Sequence, residues 1–540
     1  MERMRRLLML LIIVSILALA CQVLTIDLVP NPESPPAAEE VELTPSFVVT
    51  DEITVTVTPS PSPTATTLSA SPTPSATPTL EPLPALPFPV HLHPDGGLYV
   101  GDQVSFEIIA PEGANLNGRT AQVSVSQPDQ KLLGTAEFAG FGIAGRTQAT
   151  LTWAWDTRNL EAGDYPVSVA IEPGGPTWTE TISLQPEASL LPPEPDAHWA
   201  SVESECCLIY YVTGTDAERD LARLVEMADE QAQSTRQQLD ADFNEPVKIV
   251  FLPRVLGHGG FASQELSISY LERNYAGGDP EIVLHHELVH MLDSQLGGEL
   301  RPSLLVEGLA VYLTGGHFKL EALIPRAAAL LELGWYLPLS QLADGFYSSQ
   351  HEIGYLEAGA LVAYLVDRGG RDAFDLFYRD IHNLENGGGQ ADAMNAALLE
   401  HYGLSLEELD GEFREFLAGQ PVNPRWVEDV RQSVGYYDTV RRYQQALDSS
   451  AHYLTAWLLD FEAMRERGIV ADYLRHPNEP GNQAIEALLV AADKGLKAGN
   501  YPEVGRLLGM ANAALGAYES TTAYPQANSA SNGGVQYRLR

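Results

Sequence analysis

His286-Glu287-Leu288-Val289-His290 sets two imidazoles four residues apart with a carboxylate between them. On a helix that spacing puts both rings on one face, with Cβ atoms about 5–6 Å apart. Two ring nitrogens can then reach a single ion at about 2.0–2.1 Å. Glu287 follows His286 directly and is too short in reach to be a third ligand on the same helix. It is instead placed to take a proton from a water beside the ion. Seventeen residues past His290 stands Glu307, in the apolar run Leu305-Val306-Glu307-Gly308-Leu309. Two imidazoles and one carboxylate leave a fourth position for water, as a catalytic zinc requires. The only cysteines are Cys21, Cys206 and Cys207, so a four-cysteine zinc site is excluded. Zn2+ held by His286, His290 and Glu307, with Glu287 as general base, is the expected site. The alternative is that the histidines are merely polar helix positions.

These residues must be carried by two antiparallel helices, joined by a loop that Gly297-Gly298 and Pro302 close. The surrounding stretch, 198–420, mixes strands and helices. Leu208–Val212 and Val247–Leu252 read as strands, Asp216–Leu239 as an amphipathic helix, and Glu265–Tyr270 as a short alternating strand. Cys206 and Cys207 open the first strand, where alternation predicts side chains on opposite faces and therefore free or buried thiols. His285 points about 100° away from the motif face and is expected in solvent or in packing. His258 and His317 are expected to be loop residues.

The flanks differ in kind. Met1-Glu2-Arg3-Met4-Arg5-Arg6, followed by the apolar run Leu7–Ala20, reads as an export signal over 1–26. Three endings fit it. Leu17-Ala18-Leu19-Ala20-Cys21 resembles a bacterial lipobox with Cys21 as the lipidated residue, Ala18-x-Ala20 fits ordinary cleavage, and a run extended to Ile26 would serve as an uncleaved anchor. Of the 37 prolines, 15 fall between Pro30 and Pro89 among Ser, Thr and Ala, so 27–88 is expected to be an extended linker without a core. Alternating strands over 89–190 predict a β-sandwich of immunoglobulin-like type. There His91 and His93 share a strand face without a third ligand, and Trp153 and Trp155 read as packing, with carbohydrate binding the lesser alternative. Beyond Pro421 the sequence is helical to about 520, with heptad-like apolar spacing from Tyr443 to Met464 and a stop and restart at Ala498-Gly499-Asn500-Tyr501-Pro502, and 521–540 is a polar tail. With 32 Lys+Arg against 72 Asp+Glu, the net charge of −40 argues against nucleic acid or anionic lipid headgroups as partners. Membrane contact is expected only through the N-terminal lipid or signal anchor, at an extracytoplasmic, bacterial envelope location, with secretion as the alternative.

His286-Glu287-Leu288-Val289-His290, followed by Val306-Glu307-Gly308, resembles the gluzincin metallopeptidases, in particular their peptidase MA-like domains. The likeness runs on through Gly354-Tyr355 to Gly369-Gly370, Ala393 to Leu398, and Tyr402-Gly403 to Asp410. It covers roughly His198 to Ala418 and implies an α+β gluzincin-like metallopeptidase domain there, which makes the chain three-part, with the β-sandwich before it and a C-terminal all-α domain after it. It also implies a zinc-dependent peptidase, acting within peptide or protein chains because the aminopeptidase motif Gly-x-Met-Glu-Asn is absent. Tyr355 would donate a hydrogen bond to the oxyanion. Core packing is its alternative role, and His351 is a competing donor. The strand at Glu265–Tyr270 would be the sheet edge on which a peptide pairs. Leu304 and Val311 depart from the family pattern. The second stands where thermolysin-like members carry an Asp that orients a ligand histidine, so another orienting partner is needed. The alternatives are an inactive envelope binding or scaffold protein on the same fold, and hydrolysis of another amide, such as a cell-wall peptide.

Overall fold

The computed structural model describes residues 83 and 88–521, apart from 112, 127–130, 142–145, 386, 449–450, 452–459 and 476–479. The expected export signal, Cys21, nearly all of the proline-rich linker and the polar tail lie outside the described residues. Among the described residues no helix is long and apolar enough to cross a membrane.

The first strands alternate as their sequence dictates. In β4 (Thr120–Val125), for instance, Ala121, Val123 and Val125 face inward and the residues between them face outward. One sheet runs β1 (Val90–His93), β3 (Gln103–Ile109), β7 (Arg146–Asp156), β6 (Ala139–Phe141). The other runs β2 (Leu98–Tyr99), β9 (Thr177–Gln185), β8 (Gly163–Glu172), β4, β5 (Lys131–Glu137). Their inner faces meet in one core that includes Phe106, Val123, Trp155 and Ile171, so the region is a two-layer β-sandwich. Trp153 stands at a register shift between β3 and β7, with φ at 46° and its N–H donating to Ser105 Oγ at 2.6 Å. It turns out of the sandwich onto the neighbouring cluster of Val250, Leu252 and Phe461, so both tryptophans pack. His93 is buried and pairs with Glu107 at 3.1 Å.

A mixed sheet follows, ordered β10 (Trp199–Glu203), β11 (Cys207–Val212), β12 (Val247–Leu252), β14 (Leu266–Ser269), β13 (Gly260–Ala262). Its three central strands are parallel and its two outer pairings antiparallel. Two expectations are corrected here. The strand at Glu265–Tyr270 is interior, buried on both faces, and the edge beside it is β13. Cys206 and Cys207 form a disulfide, with Cα atoms 3.7 Å apart. Cys206 sits in a bend before β11 begins, so strand alternation does not apply to it.

The expected helix at Asp216–Leu239 is broken at Asp220, which hydrogen bonds to Tyr270. The pieces are α1 (Asp216–Arg219) and α2 (Leu221–Leu239). Helix α2 covers one face of the mixed sheet together with α3 (Pro280–Gln295). Beyond α3 lie α4 (Ser303–Thr314), α5 (Leu323–Leu333), α6 (Leu339–Gly345), α7 (His351–Gly369), α8 (Arg371–Arg379), α9 (Gln390–His401) and α10 (Leu406–Ala418), which share one large apolar core. Helices α4 and α7 cross closely because both carry glycine at the crossing. A Cβ on Gly308 would stand 2.6 Å from the Ala358 carbonyl oxygen, and one on Gly359 would stand 2.4 Å from Val311 Cγ1.

The last helices are α11 (Pro424–Leu447), α12 (Phe461–Arg467), α13 (Ala471–Leu474), α14 (Pro480–Ala498) and α15 (Tyr501–Thr521). The apolar spacing from Tyr443 to Met464 is not one helix. Helix α11 ends at Leu447, where buried Asp448 takes Arg254 at 3.1 Å and the Tyr275 hydroxyl at 2.7 Å. Helices α11, α14 and α15 pack with Val255, Tyr275 and Phe318 in a single cluster, so the helical region and the sheet region share a core.

Candidate metal centre

Helix α3 starts where its sequence says it should. Asp279 caps it by accepting from the Glu281 N–H at 3.1 Å, and Pro280 occupies the first turn, where its missing N–H removes no bond. Six residues on, His286 and His290 share a face, with their rings 4.6 Å apart and perpendicular at 88°. Helix α4 returns antiparallel after Gly297-Gly298 and Pro302, and carries Glu307 to the same point. His286 Nε2 lies 3.2 Å and His290 Nε2 3.1 Å from Glu307 Oε2. One donor atom from each of the three lies within 4.8 Å of the others. All of this surrounds a cavity of about 310 Å³, into which Glu287 also faces, bordered on one side by edge strand β13.

The three groups are strongly coupled electrostatically. Burial and the neighbouring His290 push the His286 imidazole down to about 3. Burial also works against charge on His290, but the adjoining Glu307 carboxylate outweighs it and holds His290 up at about 9. Burial works against charge on Glu307 too, yet the two imidazoles hold it well below the usual carboxylate range. Two rings touching one oxygen move in opposite directions because a second proton there would place two positive charges side by side. A dication satisfies both nitrogens and the carboxylate at once, so the residues fit a zinc ion. Burial raises Glu287 to about 7, the range of a general base working near neutrality.

Around this centre the structure gathers residues that the sequence did not single out. Tyr347, in a short turn before α7, donates its hydroxyl hydrogen to Glu307 Oε1 at 2.6 Å. Asp293, one turn past His290, is buried against Arg301 and Arg379 and accepts from the Tyr378 hydroxyl at 2.9 Å, which ties the end of α3 to α8. His286 Nδ1 and His290 Nδ1 have no hydrogen-bond partner among the described residues. The orienting contact at this centre is therefore on the carboxylate, through Tyr347, and not on an imidazole.

Tyr355 lies on the cavity wall, 6.2 Å from the His286 ring. His317 stacks on Tyr355 at 4.0 Å, and His351 lies 4.2 Å from it. His258 and His317 are loop residues, as expected, but both line the cavity. His258 stacks on His351 at 3.9 Å and on Tyr437 of α11 at 4.0 Å. His285 faces away from the centre, buried and 3.0 Å from Gln238 Oε1, so of its two expected fates packing is the one found.

Comparison with known protein families finds no family model that matches the chain, and comparison with curated proteins finds no matching sequence.

Proposed function

We propose that the chain is a zinc-dependent peptidase of the gluzincin type that hydrolyses internal peptide bonds. The observation that carries this reading is a single cavity holding three converging donors, His286, His290 and Glu307, a buried carboxylate at Glu287, and the outermost strand of a sheet along its wall. Zinc, when bound, supplies Lewis acidity toward a carbonyl and lowers the pKa of water. The chain's own residues do the rest. Edge strand β13 offers backbone groups on which an extended substrate can lie as an added strand. Glu287 takes the proton of the attacking water and returns it to the leaving amine. Tyr355, on the cavity wall, donates a hydrogen bond as charge develops on the carbonyl oxygen.

Glu287→Gln is expected to keep stoichiometric zinc and to lose about 10²–10⁴-fold in peptide hydrolysis. Metal analysis together with digestion of a mixed peptide library measures both. Full activity in that variant would sink the mechanism, and zinc binding without cleavage of any peptide by the wild type would leave a binding protein instead.

The N-terminal region supports an immunoglobulin-like reading through its strand order. Labelled in chain order, one sheet reads A-B-E-D and the other A′-G-F-C-C′. Tyr165 at the start of β8, the F position, bonds back to the Glu161 carbonyl at 2.8 Å, as a tyrosine corner does.

A further inference from the structure

We propose a second divalent-cation site, formed by His317, His351 and Glu352, in the same cleft as the first trio and sharing no ligand with it. One donor atom from each lies within 4.8 Å of the others, the same convergence that marks His286, His290 and Glu307. The three arrive from two directions. His317 follows α4, where the chain turns through Gly315 at φ 73° and Gly316 at φ 159° and folds back over the cleft. A Cβ on Gly316 would fall 1.9 Å from the Lys319 carbonyl oxygen, so this return is open to glycine alone. His351 and Glu352 open α7, fixed by Gln350, whose side chain accepts from the Ile353 N–H at 2.9 Å.

His351 Nε2 is buried and has no hydrogen-bond partner among the described residues. The ring is stacked against His258 at 3.9 Å and Tyr437 at 4.3 Å. Stacking occupies the faces of an imidazole and leaves its nitrogens, which bind in the ring plane, at the edge. Packing therefore accounts for the ring and not for the nitrogen.

The charges agree. Glu352 is buried, 3.4 Å from His317 Nδ1. The cations on the Lys319 side have their own carboxylates: Lys319 contacts Glu321 at 3.4 Å and Asp429 at 3.2 Å, and Arg326 contacts the same two. Glu352 is a third, weaker negative neighbour of Arg326, with Arg441 a further cation near His351, and the direct contact of Glu352 is the His317 imidazole. A dication is the partner such a buried charge calls for. Two imidazoles and one carboxylate suit zinc and its first-row neighbours, and not magnesium or calcium, which take oxygen ligands. The His317 and His286 rings are 5.6 Å apart, so the second ion would line the cleft beside the first.

The site stands whether or not the cleft hydrolyses peptides, so its test is a metal count. The full chain is stripped with chelator, titrated with zinc and freed of unbound metal, and the bound ion is measured. Two equivalents are expected for the wild type, falling to one in His317→Ala and in Glu352→Gln. The His317 variant lies on a loop, so it keeps the test open if the buried Glu352 change costs the fold. A bound-zinc count that neither variant lowers overturns the proposal. A wild-type count of two that falls to one in His290→Ala supports two independent sites. A count unchanged by His290→Ala would count against the first site alone.

Discussion

Glu307 is the most heavily engaged side chain of the cleft: both imidazoles reach its Oε2, and Tyr347 reaches its Oε1 at 2.6 Å. Tyr347 touches the ligand and not the ion, so Tyr347→Phe should weaken zinc affinity by about 10–100-fold. Chelator competition measures this, and the thermal transition of the metal-free protein should stay in place. The proton shared between His290 and Glu307 adds a pH dependence. His290 is held up at about 9 without metal, so below that pH an incoming ion must displace its proton. Zinc affinity should therefore rise roughly tenfold per pH unit between about 7 and 9 and then level off. A flat profile over that range would mean that His290 carries no proton for the ion to displace there. At this scale the four central residues were legible because helical spacing alone aligns His286 with His290 and presents Glu287 and Glu307 on recognisable apolar helices. Tyr347 and His258, and the Tyr437 ring that backs His258, were not, because their placement depends on turns and on a helix more than a hundred residues downstream, which no local pattern records.

Helices α4 and α7 hold the centre by approaching to backbone contact. Gly308 adjoins the ligand Glu307, and the Ala358 carbonyl fills the space where its side chain would be. Gly308→Ala should force the helices apart, costing about 1–3 kcal/mol by overpacking and loosening Glu307. A lowered unfolding midpoint with weakened zinc binding is the expected pair of results, and a variant with wild-type stability would show that the crossing tolerates a methyl group. Several of the elements were visible in the sequence: the glycine loop after α3, the strands at Leu208–Val212 and Val247–Leu252, and the stop and restart around Gly499. The position of a strand within its sheet was not. Leu266–Ser269 alternates like an edge strand, yet neighbours cover it on both sides, and adjacent Glu265 is held by Arg465 from α12 at 2.5 Å. That partner lies 200 residues away, beyond anything alternation can report.

Across the whole molecule, arginines join the early strands to the late helices. Arg475, just past α13, takes Asp102 of the sandwich at 2.6 and 2.7 Å and also pairs with Glu194. Arg254 takes Asp95 at 2.9 Å and Asp448 at 3.1 Å. The Arg475 side chain is 8% exposed, with Asp102 at 5% and Glu194 at 12%, so Arg475→Ala would leave two carboxylates buried without their cation. A loss of about 3–5 kcal/mol is expected from denaturant unfolding. A loss below about 1 kcal/mol would mean that the contact is no better than a surface pair. The sequence separated the strand-rich, mixed and helical stretches by composition, but the residues that bind them together are single charges in loops, which look like any solvated surface. The span between Asp102 and Arg475 also orders events in time. It covers 373 residues, which a ribosome adding about 5–20 residues per second makes in roughly 20–75 s. Over that interval the sandwich can fold on local pairings, while its buried carboxylate waits for a cation not yet made. Tyr437, whose ring backs His258 and His351 of the cavity wall, is likewise made long after His286 and His290, so that wall gains its backing only once α11 has been added.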